Sequence, residues 1–256
     1  MKIIAVGNMK GGVGKTTTSI LLADTLSAVL NRRVLALDLD PQANLSWALM
    51  GPTPFSNHAA HASMTRWLED TAKGRESTLA GTLEQVGLWK DRFLRPSERA
   101  NLQLSVSTTK MRFAEMRFEG PADADPSVGL TAKLRDSLAR ISANFDYCVL
   151  DCSPALSALT RAGLRLADAI FIPTPLNALC FESQEVFRTM GIRNMLDLAT
   201  PIYVVRTRVG AAMARAEQNA IITRLIEREA DGVFRQLSPD LVECVDYMRA
   251  VNPPEL

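Results

Sequence analysis

The sequence predicts an α/β fold: a doubly wound, mostly parallel sheet flanked by helices. Three observations carry that prediction. Short apolar runs rich in β-branched residues alternate with segments of helical apolar spacing. The runs are apolar almost throughout, as strands covered on both faces are. Two of them end in aspartates and a third ends in glycine, which places chemistry outside the carboxyl ends of the strands.

The elements follow in order. "KIIAVGN" (2–8) is a first strand that stops at glycine-rich residues. Lys15 to Leu30 is a helix, with apolar positions at Ile20, Leu21, Leu22, Leu26, Val29 and Leu30. "RRVLALDLD" (32–40) is a second strand and "FDYCVLDCSP" (145–154) a third. "ADAIFIPTP" (167–175) and "PIYVVRTR" (201–208) are a fourth and fifth, separated by a helical stretch from about Glu182 to Leu198. Residues 51–130 break the rhythm with helical "TRWLED" (65–70), a short strand "NLQLSVS" (101–107), and turn-rich "GPTPFSN" and "EGPADADP". They read as a surface elaboration of the same domain. With 256 residues, 47% of them hydrophobic, the chain is expected to form one domain over 1–256.

Composition excludes several classes. The 29 basic and 28 acidic residues leave a net charge of +1, so any nucleic-acid contact must come from a local patch. The cysteines, Cys148, Cys152, Cys180 and Cys244, lack C-x-x-C spacing and read as reduced and buried. The first strand begins at residue 2, which leaves no room for a secretion signal, and no apolar run approaches the ~20 residues of a membrane span. A cytoplasmic protein is expected.

"GGVGKT" (11–16) completes a G-x-x-x-x-G-K-[ST] loop in which Met9 stands where the first glycine is usual. Gly11, Gly12 and Gly14 let backbone N–H groups turn inward around phosphate oxygens, and the helix that follows aims its positive end at the same anion. Lys15 would neutralise the outer phosphates and Thr16 would ligate Mg²⁺. The bland alternative, a glycine turn before an ordinary helix, does not account for the preceding strand together with "KTT". A metal–phosphate site also needs carboxylates from neighbouring strand ends. Asp151 closes "YCVLD", and Asp38 and Asp40 close "VLALDLD", two apart and on one side of the strand.

In "KGGVGKTT" (10–17), "LDLDPQANLS" (37–46), "FDYCVLDCSPALS" (145–157) and "IFIPTP" (170–175), and more weakly in "NLQLSVSTT" (101–109), the chain resembles the ParA/MinD branch of deviant Walker A P-loop ATPases, ParA-type partition proteins above all. The likeness covers most of the first 175 residues in the family's order. It implies ATP and Mg²⁺ as cofactors, with Gly11, Gly12, Val13, Gly14, Lys15, Thr16 and Thr17 cradling the nucleotide. Thr16, Asp38 and Asp151 would serve the metal, Asp40 would orient the attacking water, and Lys10 would reach across a nucleotide-dependent dimer to the other subunit's phosphates. Arg206 falls where relatives contact adenine, and reads equally as a surface arginine. Ser153 stands where many relatives carry a second proline.

The resemblance further implies an ATP-dependent sandwich homodimer with weak basal hydrolysis. That dimer would bind DNA without sequence preference, be stimulated by a ParB-like adaptor, and segregate a plasmid, a chromosome or another cargo at the nucleoid. Two basic sets could meet DNA or be solvated helix faces. One is Arg206, Arg208, Arg215, Arg224, Arg228 and Arg235; the other is Lys90, Arg92, Arg95, Arg99, Lys110, Arg112 and Arg117. The alternative is a MinD-like membrane ATPase. The tail "SPDLVECVDYMRAVNPPEL" carries Asp240, Glu243, Asp246 and Glu255 against Arg249, and an anionic lipid surface would repel it, so no stable membrane association is expected. Metabolic ATP chemistry with an iron–sulfur cluster would need cysteines placed between subunits.

Overall fold

The structure is a computed structural model that describes residues 1–51, 63–86, 101–118, 125, 127–196, 199–209, 215–230 and 235–242. The strands are β1 (Lys2–Val6), β2 (Val34–Leu39), β3 (Leu83–Gln85), β4 (Leu102–Ser105), β5 (Tyr147–Cys152), β6 (Ala169–Pro175), β7 (Ile202–Val209) and β8 (Arg235–Val242). They form one sheet in the order β3-β4-β2-β5-β1-β6-β7-β8, parallel except where β3 runs against β4. The chain starts near the middle and winds outward both ways, as expected of a doubly wound sheet.

The helices are α1 (Lys15–Asp24), α2 (Asn44–Met50), α3 (Met64–Ala72), α4 (Met111–Glu115), α5 (Ser127–Ile141), α6 (Ala158–Leu166), α7 (Ala178–Val186) and α8 (Arg215–Ala230). They cover both faces of the sheet, and strand alternation decides which side chains each face receives. Leu35, Leu37, Leu39, Leu150 and Cys152 join a core with Met64, Trp67 and Leu68 of α3 and Leu130, Leu134 and Leu138 of α5. Val34, Ala36 and Val149 turn the other way, onto Ile20, Ala23 and Leu26 and onto Leu45, Ala48 and Leu49 of α2. By the same alternation Asp38 and Asp151 face α1 and α2.

Two expectations are revised. The segment taken as a surface elaboration supplies core. Met64, Trp67, Leu68 and Leu79 are buried, and the Trp67 indole donates to Ser137 Oγ at 3.0 Å. "GPTPFSN" beyond Gly51 and most of "EGPADADP" lie outside the described residues. The helix expected from Glu182 begins at Ala178, because Asn177 caps it by accepting the Cys180 N–H at 2.9 Å. It then continues as a wider π-helical segment, Phe187–Met195. Cys148, Cys152 and Cys180 are buried free thiols, and Cys244 lies outside the described residues. Among the described residues no helix is long and apolar enough to cross a membrane.

Candidate nucleotide-binding site

The site lies where β1, β2 and β5 end. Parallel register sets Val6 beside Asp151 and Asp38 beside the same Asp151, so the phosphate loop and two acids leave the sheet at one level. The loop is tied down at both ends. Asn8 is fully buried; its Nδ2 donates to the Pro173 carbonyl at 2.9 Å, and its Oδ1 accepts from the Lys10 N–H at 3.0 Å and from Ser183 Oγ at 3.3 Å. At the far end Thr207 Oγ1 donates to the Val13 carbonyl at 2.9 Å. Gly14 has φ +94°, a left-handed conformation that an L side chain resists. It is the N-cap of α1 without a side-chain cap, and the first turn of α1 carries no acid. The N–H groups of that turn are therefore open to an anion.

The Lys15 ammonium, 8% exposed, donates to the Lys10 carbonyl at 2.9 Å. Burial lowers its pKa, and the charges of Asp151 and Asp40 oppose that effect. Thr16 and Ser19, one helical turn apart on α1, each donate to a different oxygen of Asp151 at 2.8 Å. Asp38 Oδ1 accepts the Asp40 N–H at 3.1 Å, and its Oδ2 accepts the Ser46 N–H at 2.9 Å and Ser46 Oγ–H at 2.6 Å. Asp40 Oδ1 accepts the Gln42 N–H at 2.9 Å, and its carbonyl accepts Ser107 Oγ–H at 2.7 Å.

Burial raises the pKa of both Asp38 and Asp151, and neighbouring carboxylates add to it: Asp151 acts on Asp38, and Asp40 acts on Asp151. Asp151 and Asp40 thus face one ammonium, and Asp38 crowds Asp151 from behind. A divalent cation arriving with phosphates would relieve that excess, so the residues fit Mg–nucleotide. Among the described residues no group of three or more His, Cys, Asp or Glu is placed to chelate a metal unaided.

A family model described as an AAA domain matches residues 1–197. The chain belongs to this family, in its ParA/MinD branch of P-loop ATPases. It is 32% identical over 176 residues to the chromosome partitioning protein ParA of Myxococcus xanthus, covering 67% of this chain and 51% of that one. It is 31% identical over 172 residues to the sporulation initiation inhibitor protein Soj of Bacillus subtilis, covering 67% and 57%. The chain therefore spans about half the length of these relatives. Among solved structures, apo McdA of Cyanothece superposes with a TM-score of 0.74 at 24% identity over 98% of this chain and 90% of that one, a likeness of fold.

In this ParA/MinD-family chain, Lys15, Thr16, Asp38, Asp40 and Asp151 are connected by hydrogen bonds or charge around the loop of Gly11, Gly12, Val13 and Gly14. Lys10 lies at the lip, and its ammonium makes no ion pair with a described residue. Arg206 is half-buried on β7 opposite Thr174. Neighbouring strand positions face opposite sides, so the β7 residue that reaches the loop is Thr207. Ser153 Oγ accepts the Ala155 N–H at 3.3 Å, so the hydroxyl steadies its own turn where a proline is usual.

The basic sets divide. Arg224 is committed within the chain: it donates to Glu182 at 3.1 Å and lies 4.4 Å from the Phe181 ring centroid. Lys110, Arg112, Arg117 and Arg235 are exposed. Lys90, Arg92, Arg95 and Arg99, and the side chains of Arg208, Arg215 and Arg228, lie outside what the structure describes. Sequence reasoning missed Asn8, Ser19, Ser46, Ser107 and Thr207. Ser46 and Ser107 sit inside quoted motifs, but a lone serine carries no sign of a partner 61 positions away.

Proposed function

We propose that this chain is a ParA-type ATPase that closes into a homodimer around two Mg-ATP molecules and hydrolyses them slowly. One observation carries the reading. The loop holds two lysines in different settings: Lys15 is buried among Asp40 and Asp151, and Lys10 is at the lip with no acid paired to it among the described residues. The first suits phosphates bound in the same chain, and the second suits phosphates bound by a partner.

Lys15 and the loop N–H groups bind and orient the outer phosphates. Thr16 Oγ, Asp151 and Asp38 would serve the metal's shell, and Mg²⁺ when bound would neutralise charge on the phosphate oxygens. Asp40 orients the attacking water; positioning supplies much of phosphoryl-transfer catalysis, so a strong base is unnecessary. Lys10 of the second copy stabilises charge developing on the transferred group, as an arginine finger does.

The name of one relative, a chromosome partitioning protein, supports a role in segregating or positioning a cargo. In that role the ATP dimer binds nucleoid DNA without sequence preference, and an adaptor stimulates hydrolysis and release. Exposed Lys110, Arg112 and Arg117 offer cations for phosphate contacts, and two copies double them. Size-exclusion chromatography of the Asp40→Ala protein with Mg-ATP tests the core of this reading. A stable dimer is expected, and a monomer at saturating ATP contradicts it.

A further inference from the structure

We propose that Ser46 and Ser107 are positioning residues for Asp40, and that Asp38 serves as the hub through which Ser46 acts. The proposal rests on the reading of Asp40 as the residue that orients water.

The hydrogen bonds close a ring. The Asp40 N–H donates to Asp38; the other Asp38 oxygen accepts both the N–H and the hydroxyl of Ser46. Ser46 Oγ in turn accepts the Ser107 N–H at 2.9 Å, and Ser107 Oγ–H returns to the Asp40 carbonyl at 2.7 Å. Both peptide groups flanking the Asp40 Cα are thereby fixed. Its N–H is held from the β2 side and its C=O by Ser107 of the loop after β4 together with the Ala43 N–H at 2.9 Å, so φ and ψ are set, and the Gln42 N–H holds one carboxylate oxygen. Asp38, Ser46 and Ser107 are each 0% exposed and Asp40 is 7% exposed, so water does not compete for these bonds.

The ring has a sequence logic. β4 is the parallel neighbour of β2, with Leu37 in register with Ser105, so the loop leaving β4 lies against the loop that carries Asp40. Alternation sends Asp38 to the face where α2 packs, and Ser46 is on α2. The end of β2, the start of α2 eight residues after Asp38, and the distant loop after β4 meet around Asp40, and each contributes a group that bonds and nothing larger. A serine hydroxyl serves as donor and acceptor together, which Ser46 does here. Holding a catalytic group to about half an ångström is what such a shell supplies, and a 1 Å error costs about 100-fold in rate.

The test measures ATP hydrolysis and equilibrium ATP binding separately for the full chain. Ser107→Cys keeps the backbone N–H and the shape of the side chain, adds a little volume, and weakens the donor to Asp40. It is expected to lower kcat roughly ten-fold with KM and ATP affinity within about two-fold. Ser107→Thr, which retains the hydroxyl, is expected to restore most of the rate. Introducing Ser107→Cys into Asp40→Ala is expected to leave the residual rate unchanged, because the serine acts through Asp40. A normal kcat for Ser107→Cys overturns the proposal, as does an equal loss of rate with and without the Asp40 carboxylate. If Asp40→Ala itself hydrolyses ATP normally, the reading of Asp40 fails first, and the two failures are thereby distinguished.

Discussion

Thr207 and Val13, 194 positions apart, are joined by a 2.9 Å hydrogen bond from the threonine hydroxyl to the loop carbonyl. The bond fastens the phosphate loop to the end of β7. The Thr207 side chain also lies about 3.6 Å from where a Cβ on Gly14 would be. Thr207→Val keeps the shape and removes the bond, leaving the buried Val13 carbonyl unpaired. A net loss of about 1 kcal/mol, or roughly five-fold in ATP affinity, is expected by titration calorimetry, with kcat at saturation little changed.

Gly14→Ala tests the loop's backbone. At φ +94° a side chain is strained by about 1–3 kcal/mol even though space is available. The variant is expected to lose ATP affinity while its melting temperature falls by only a few degrees. Equal ATP affinity in variant and wild type would show that the loop adopts another conformation when loaded.

Asp125 contributes to acid stability away from the phosphate loop. It accepts the N–H and hydroxyl of Ser127 at the start of α5, and pairs with Arg165 at 2.7 Å and Arg161 at 3.4 Å on α6. Burial pulls its carboxyl up, but the Ser127 and Arg165 hydrogen bonds and the Arg161 charge together outweigh that and hold it at about 2. Its folded pKa lies below its unfolded value of 3.8, so its stabilisation is complete above pH ~4 and is lost as pH falls from there towards 2. Asp125→Asn is expected to cost about 1 kcal/mol at pH 7 and to flatten the acid limb of a urea-denaturation series over that window.

Trp67 tests whether residues 63–86 belong to the core. It is 1% exposed between α3 and α5. Trp67→Ala is expected to destabilise the protein by about 3–5 kcal/mol in urea denaturation. A change within about 0.5 kcal/mol, the range of surface substitutions, would place the segment outside the cooperative unit.

The pattern of these results follows what a linear sequence carries. β1, β2, β5, β6 and β7 were legible because strands covered on both faces are apolar almost throughout. β8 was not: Arg235–Val242 carries Pro239 and Asp240 and sits at the sheet's edge, where proline is tolerated and apolar runs are unnecessary. That Lys15, Thr16, Asp40 and Asp151 meet at one end of the sheet was legible, because residue type and strand-end position converge there. The start of α7 was hidden because "ALCF" continues the apolar character of β6, and only the Asn177 cap marks the boundary. Asn8, Ser46, Ser107 and Thr207 act through partners brought close by sheet order, which no local pattern encodes.

Under the proposed function, each catalytic centre is completed by Lys10 of a second copy. Mixing two impaired variants, Lys10→Ala and Asp40→Ala, is the direct test. In a mixed dimer the Lys10→Ala chain keeps its own Asp40 and receives an intact Lys10 from its partner, so one of the two sites is whole. At a 1:1 ratio half of the dimers are mixed, and ATP hydrolysis should recover to roughly a quarter of the wild-type rate. A mixture no faster than the sum of its two components would contradict the account and return Lys10 to its own chain's site.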